Sequence, residues 1–341
     1  FELVTKHKPS EAELGSGKPV DGIAEIIDPR FENLVAMYNP ASVKRARINV
    51  VLLPKLEKGF AEKADVMKAL DDADALCHVV RAFTDDSVYH ASGSLDPVRD
   101  AEEVNSELIL YDLMFVEKRL ERIDKNLKRT NDAGQVKERE LLLKLKSCLD
   151  AEKPLRKIAL NEQEKKIVSS YPFITMKKMI VVLNVSEDKI NDASLMSVLD
   201  EKYRDCDVFF MQVSVKLELE IAGLGSDKEK KEFMESAGIK EPAIDALKRV
   251  CIRALDLISF FGVGADEVKQ WTIKAGSTAP NAAGAIHTDL EKGFIRAEVM
   301  KYDELIAAGS EEKLKEAGKY CLKGKDYIVE DGDILSIRFN V

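Results

Sequence analysis

Three stretches of the chain carry apolar residues almost without interruption: Ile48-Asn-Val-Val-Leu-Leu, Ala75-Leu-Cys-His-Val-Val and Met179-Ile-Val-Val-Leu-Asn-Val. Runs of this length, rich in β-branched residues, predict strands buried on both faces. Helical stretches separate them, which points to a mostly parallel, doubly wound α/β sheet. A fourth strand is predicted at Asp207-Val-Phe-Phe-Met-Gln-Val, after a helix-like segment over 192–203. The pattern changes over 97–169, where Leu113, Val116, Leu120, Ile123 and Leu127 recur at spacings of three and four, as do Leu142, Leu145 and Leu149. That is the spacing of a coiled-coil seam, and Asn131-Asp-Ala-Gly between the two runs supplies a turn, so an inserted antiparallel helical hairpin is predicted. From Trp271 onward the pattern changes again. Phe294-Ile-Arg-Ala-Glu-Val predicts a strand, Tyr302-Asp-Glu-Leu-Ile a short helix and Asp331-Gly332 a turn. A last strand follows, in which Leu335, Ile337, Phe339 and Val341 alternate with Ser336, Arg338 and Asn340. These last segments predict a small α+β module.

Composition narrows the functional classes. Fifty-two Lys and Arg against 61 Asp and Glu leave a formal charge of −9 on 341 residues, which argues against coating nucleic acid by net charge alone but leaves room for a local basic patch. With 45% apolar residues the chain can bury real cores. No apolar run approaches the roughly 20 residues of a membrane-spanning helix, so a soluble protein without a membrane partner is expected. The five cysteines are dispersed and form no CxxC pair, which suits a reducing compartment. The four histidines do not pair at ligand spacing, so no metal site is predicted from them. The chain begins at Phe1 without a methionine, and Phe1-Glu-Leu-Val-Thr reads like the middle of a helix, which predicts further residues upstream.

The candidate chemistry sits at strand ends. Gly15-Ser-Gly-Lys18 suggests a phosphate-binding loop, but that loop needs GxxxxGK followed by Ser or Thr between a strand and a helix; Pro19 follows the lysine, and a surface loop is predicted. Asn184-Val-Ser-Glu187 follows the apolar run 179–183, at the carboxyl end where doubly wound sheets bind ligands. An Asn amide both donates to and accepts from a purine edge, and a carboxylate three residues on accepts from a ring or exocyclic N–H. Ser214-Val-Lys216, after the strand ending at Val213, would lie beside it. His287 and Asp289 have no nucleophile, metal cluster or second base with them, so a structural or interaction role is predicted and no catalytic residue is assigned.

Longer segments carry a resemblance. Asp74-Ala-Leu-Cys-His-Val-Val-Arg-Ala-Phe, His90-Ala-Ser-Gly-Ser-Leu-Asp-Pro and Asn105-Ser-Glu-Leu are similar to the core of the YchF/Obg-like ATPases. The C-terminal segments Trp271-Thr-Ile, Gly276-Ser-Thr-Ala-Pro, Ile286-His-Thr-Asp-Leu-Glu-Lys-Gly-Phe-Ile-Arg-Ala-Glu-Val and Gly324-Lys-Asp-Tyr-Ile-Val-Glu-Asp-Gly-Asp-Ile resemble that family more closely still. The segments are collinear and cover the chain from about residue 21 to its end. The resemblance implies a P-loop nucleotide-binding domain over 1–96 and 170–267, a helical coiled-coil insertion over 97–169 and a TGS domain of β-grasp fold over 268–341. It implies binding of ATP or GTP with Mg2+, a cytoplasmic protein, and a ribosome or RNA partner met through the arm and the TGS domain. Asn184 and Glu187 match the family's base-reading NxxE, and Ser214, Val215, Lys216 and Leu217 match the loop that backs the base.

The departures are as specific as the matches. The helix after the family's GKSTL resembles Phe1-Glu-Leu-Val-Thr, which places the phosphate-binding glycines before residue 1. The family's VDIAGL corresponds to Val51-Leu-Leu-Pro-Lys-Leu56, with Leu52 at the aspartate that organises magnesium and Lys55 at the glycine that meets the γ-phosphate. Hydrolysis is therefore expected to suffer more than binding. The alternative expectation is a pseudo-NTPase acting as a nucleotide-independent adaptor. The sequence does not specify the oligomeric state.

Overall fold

In chain order the strands are β1 (Val20–Glu25), β2 (Ser42–Lys44), β3 (Arg47–Leu52), β4 (Ala75–Ala82), β5 (Lys178–Val185), β6 (Val208–Val213), β7 (Leu257–Gly262), β8 (Glu267–Lys274), β9 (Phe294–Lys301), β10 (Cys321–Lys323) and β11 (Asp333–Phe339). The computed structural model describes all residues except Glu57, Tyr89, Ala91, Asn131, Lys240 and Val341, and of Asp227 the backbone only. Two compact units divide the chain, 1–22 with 51–247 and 23–50 with 248–341.

In the first unit β4, β5 and β6 form a parallel sheet in that order. Central β5 is apolar on both sides and residues 179–183 are all buried, as its unbroken run predicts. The helix Ala64–Asp72 contributes Val66, Met67 and Leu70 to the core on this sheet, and the start of the long helix Pro97–Leu127 contributes Ala101 and Leu108. Asp96 caps that helix by accepting from the Arg99 N–H, and Pro97 occupies its first turn, where no N–H is needed. From Ile109 onward the same helix enters a different core. Val116, Leu120 and Ile123 pack against Leu142, Leu145 and Leu149 of the helix Ala133–Asp150. Ion pairs from Arg139 to Asp124 and from Lys146 to Glu117 show that the two helices run antiparallel.

The run at 48–53 behaves differently from the buried parallel strand it predicts. It forms β3, which pairs with β1 in a two-stranded sheet, and its residues alternate between exposed and half-buried. A run of β-branched residues fits any pleated surface, so the pattern alone does not say whether both faces will be covered.

The second unit holds a six-stranded sheet in the order β10-β9-β11-β7-β8-β2. Consecutive residues point to opposite faces, and both faces are covered. Phe260, Ile273, Ala297, Val299 and Leu335 pack with Ala279, Ala282 and Ala283 of the helix Ala279–Ile286. Phe261, Val268, Met300 and Ile334 pack with Phe31 and Leu34 of the helix Pro29–Tyr38. Two-sided cover explains why β11 buries both Ile334 and Leu335 where simple alternation is expected, before Ser336 and Arg338 emerge. Val341, assigned to that alternation, lies outside the described residues.

Within residues 23–50 the helix Pro29–Tyr38 thus packs on this sheet and β2 joins it. β2 adds in parallel to β8, with Ser42 opposite Glu267. Asp28 caps the helix Pro29–Tyr38, and the Arg30 guanidinium reaches Asp28 at 2.8 Å and Asp331 at 2.9 Å. Asp331 also accepts the Ser259 N–H at 2.9 Å. Gly332 has φ +92, a backbone that favours glycine, and a Cβ there would lie 2.7 Å from Arg30 Nη1 and push that guanidinium aside.

Candidate functional site

Parallel strands end side by side, and the carboxyl ends of β5 and β6 bring two distant segments together. Asn184 is in register with Val213. Immediately after Val213, Ser214 opens the helix Val215–Gly223, whose first N–H groups have no partner within the helix. The Asn184 side chain supplies one: its Oδ1 accepts the Val215 N–H at 3.0 Å. That bond fixes the amide's orientation, with its NH₂ as the remaining donor.

Glu187 begins a single 3-10 turn after β5, and Lys216 Nζ meets its Oε1 at 2.7 Å. Both side chains face solvent, and the hydrogen bond that Lys216 donates to Glu187 raises the Lys216 pKa. Gln212 of β6 donates to the carbonyls of Lys189 and Ile190, which ties the turn after β5 to the neighbouring strand. Ser214 is buried, and among the described residues its Oγ has no hydrogen-bond partner. Val215 is half-buried and the Leu217 side chain is buried. The structure therefore gathers Asn184, Glu187, Ser214, Val215 and Lys216 at one sheet end, with Leu217 anchoring the helix that carries three of them.

Residues 53–56 follow β3 without regular structure, and Leu53 and Leu56 pack on the core of the first unit. None of residues 51–56 has a side-chain oxygen. Among the described residues no group of three or more His, Cys, Asp or Glu is placed to hold a metal ion. Magnesium does not fit the residues present at this segment. The loop that follows is held instead by Glu107, whose carboxylate accepts the N–H of Gly59 at 2.6 Å and of Ala61 at 3.4 Å. Glu107 lies in the quoted Asn105-Ser-Glu-Leu, but its link to residues 59–61 spans 48 positions and leaves no periodic signal in the sequence.

Two described residues flanking the second quoted motif, Asp100 and Arg81, hold its surroundings. Asp100 bonds His90 Nε2 at 2.8 Å while His90 Nδ1 accepts the Ser92 N–H, and Arg81 donates to the carbonyls of Phe83, Asp85 and Val88. Burial pushes the nearby His78 imidazole down to about 4 despite the Asp100 charge. In the second unit His287 Nδ1 accepts the Asp289 N–H, capping the helix Thr288–Lys292. Gly15-Ser-Gly-Lys18 lies at the end of the short helix Glu11–Gly15, exposed and before β1.

A parallel sheet with polar groups gathered at its carboxyl end, an inserted helical arm and a β-rich C-terminal unit define a P-loop NTPase-like α/β protein. The family model YchF-GTPase_C, described as a protein of unknown function (DUF933), matches residues 257–340. Over 330 residues the chain is 39% identical to the ribosome-binding ATPase YchF of Bacillus subtilis (strain 168), covering 95% of this chain and 90% of that one. It is 38% identical to Obg-like ATPase 1 of Caenorhabditis elegans over 332 residues, covering 94% and 83%. A solved structure, the Schizosaccharomyces pombe YchF GTPase, superposes with a TM-score of 0.86 at 29% identity, covering 99% of this chain and 92% of that one. The chain belongs to the YchF family.

Proposed function

We propose that the chain is a purine-nucleotide-binding protein that associates with the ribosome, with the base held at the joined ends of β5 and β6. The observation that carries this reading is the bond that the Val215 N–H donates to Asn184 Oδ1, which orients the amide at the same sheet end that carries Glu187. The unpartnered Ser214 Oγ is a polar atom of the kind a bound ligand or water satisfies. The relatives support the wider reading by their names, as ribosome-binding ATPases and, in the solved structure, a GTPase. The division into a nucleotide domain over 1–96 and 170–267, an arm over 97–169 and a TGS domain over 268–341 belongs to the same proposal, as does a cytoplasmic location.

A glutamate in place of a shorter aspartate fits guanine's paired N–H donors poorly and leaves adenine acceptable. Equilibrium binding of ATP and GTP analogues to the chain extended upstream tests this, and the two affinities should lie within about a hundredfold, or 2.7 kcal/mol, of each other. A larger preference for GTP would remove Glu187 from the site. Asn184→Ala should weaken binding of either nucleotide at least tenfold while leaving ribosome pelleting intact. With Leu52 offering no oxygen and Pro54 no N–H, steady-state phosphate release should be much slower than in the Bacillus subtilis relative measured alongside. Equal turnover would show that residues 51–56 do not govern the step.

A further inference from the structure

The end of β6 is tied to the segment after β5 by two side-chain bonds, one on each face of the sheet. Leu183 is in register with Gln212 and Asn184 with Val213, so the side chains of Gln212 and Asn184 leave the sheet on opposite faces. On one face Asn184 Oδ1 accepts the Val215 N–H at 3.0 Å. On the other the Gln212 amide donates to the carbonyls of Lys189 and Ile190, the second at 3.0 Å. Those carbonyls belong to a closely bonded turn. Within it the Lys189 N–H donates to the Ser186 carbonyl at 3.0 Å, the Ile190 N–H to the Glu187 carbonyl at 3.4 Å and the Asp192 N–H to the Lys189 carbonyl at 3.0 Å. Ile190 also packs on the core of the first unit. Holding residues 189 and 190 therefore holds the main chain of Glu187. The tie has a cost, because Gln212 Oε1 is buried and has no hydrogen-bond partner among the described residues, a loss that an apolar residue of similar volume would avoid. Lys216 meets Glu187 Oε1 at 2.7 Å, but both side chains face solvent, where an ion pair restrains little. The main-chain position of Glu187 thus decides how far its carboxylate reaches.

We propose that Gln212 is a specificity-determining positioning residue, which tethers the turn after β5, fixes the reach of the Glu187 carboxylate and thereby sets the preference between adenine and guanine. The proposal rests on the reading of Asn184 and Glu187 as the pair that meets the base. With Asn184 and the turn both fastened to the end of β6, the amide and the carboxylate keep one spacing. Hydrogen bonds tolerate little error in distance or angle, so a glutamate held at that spacing meets guanine's two N–H donors out of line. A freed turn lets the carboxylate draw back and accept both. The tether therefore acts against guanine more than it acts for adenine.

The test is equilibrium binding of ribose-labelled, non-hydrolysable ATP and GTP analogues to the chain extended upstream, unmodified and as Gln212→Leu, Gln212→Asn and Asn184→Ala. Leucine removes both donors at similar volume, and asparagine keeps an amide that is one methylene short of the two carbonyls. The proposal expects Gln212→Leu to shift the ratio of GTP to ATP affinity towards GTP by about fivefold or more, and Gln212→Asn to shift it the same way. Hydrogen exchange at the amides of residues 189–192 should quicken by about tenfold or more in both. A purely structural role weakens both nucleotides by one factor, so an unchanged ratio in the folded Gln212 variants, or a shift towards ATP, overturns the proposal. Where Gln212→Leu loses its cooperative thermal transition, Gln212→Asn carries the test. Asn184→Ala separates this proposal from the reading beneath it. Weakened binding of both analogues by Asn184→Ala, together with an unchanged ratio in the Gln212 variants, removes the tether's role and leaves the base site standing. Full binding by Asn184→Ala removes the base site, and the proposal with it.

Discussion

Asp112 is fully buried on the helix Pro97–Leu127, and its carboxylate accepts three hydrogen bonds, from the N–H groups of Ile174 and Thr175 and from the Thr175 hydroxyl at 2.6 Å. Desolvation outweighs these bonds and raises its pKa to about 6. In the unfolded chain the group titrates near the usual carboxylate value, so between about pH 4 and pH 6 the folded state holds the extra proton. Stability from this group is complete below pH 4 and is lost as the pH rises through 6. Asp112→Asn keeps the shape but loses the acceptors at one oxygen, and should cost about 1–3 kcal/mol. It should also flatten that part of the stability profile. Denaturant melts of both proteins at pH 4, 5, 6 and 7 give the check: an unchanged profile between pH 4 and 6 would show that Asp112 is ionised throughout.

At the scale of elements, the helix Pro97–Leu127 belongs to two cores at once. Ala101 and Leu108 pack with Val66, Leu76 and Leu183, whereas Val116, Leu120 and Ile123 belong to a separate core with Leu142, Leu145 and Leu149. Excising residues 97–169 therefore takes two buried side chains from the sheet's own core and should cost several kcal/mol. Replacing residues 122–141 with a short turn leaves both cores mostly intact and should keep a single cooperative thermal transition. A transition as sharp and as high for the 97–169 deletion as for the shorter one would show that the helix's first turns add nothing to the sheet.

Here the sequence was informative in part. Of the seam residues, Val116, Leu120, Ile123, Leu142, Leu145 and Leu149 are buried, because a repeat of three and four has only one side to hide, while Leu113 and Leu127 are half-buried. The handover of the helix from one core to the other has no signature, since the apolar spacing continues through it. Asn184 was placed by the strand before it and the turn residues after it. Its bond to Val215 depends on the register between β5 and β6, which no local pattern records.

For the whole molecule, the decisive feature is that the C-terminal unit is discontinuous. The family match spans 257–340, yet Phe31 and Leu34 lie fully buried against Phe261, Val268 and Ile334. Nothing in residues 29–38 announces this, because an amphipathic helix shows that it packs and not where. Burial of the two side chains contributes about 1.5–3 kcal/mol each, a large share of the 5–15 kcal/mol that stabilises an ordinary domain. Residues 257–340 made alone should melt without a cooperative transition, and a peptide of residues 23–50 added in trans should restore one. A sharp transition for the fragment by itself would show that the helix Pro29–Tyr38 is dispensable.

The same discontinuity sets a clock on synthesis. Residues 29–38 leave the ribosome roughly 200 residues before the strands that bury them, which at about 5–20 residues per second is an interval of roughly 10–40 s. Through that interval Phe31 and Leu34 lack the strands that bury them, and the nascent chain presents an amphipathic helix to whatever apolar surface or chaperone is nearby. Yield of folded protein should therefore depend on how fast the messenger is read between the codons for residues 50 and 257, a dependence that a protein with sequential units would not show.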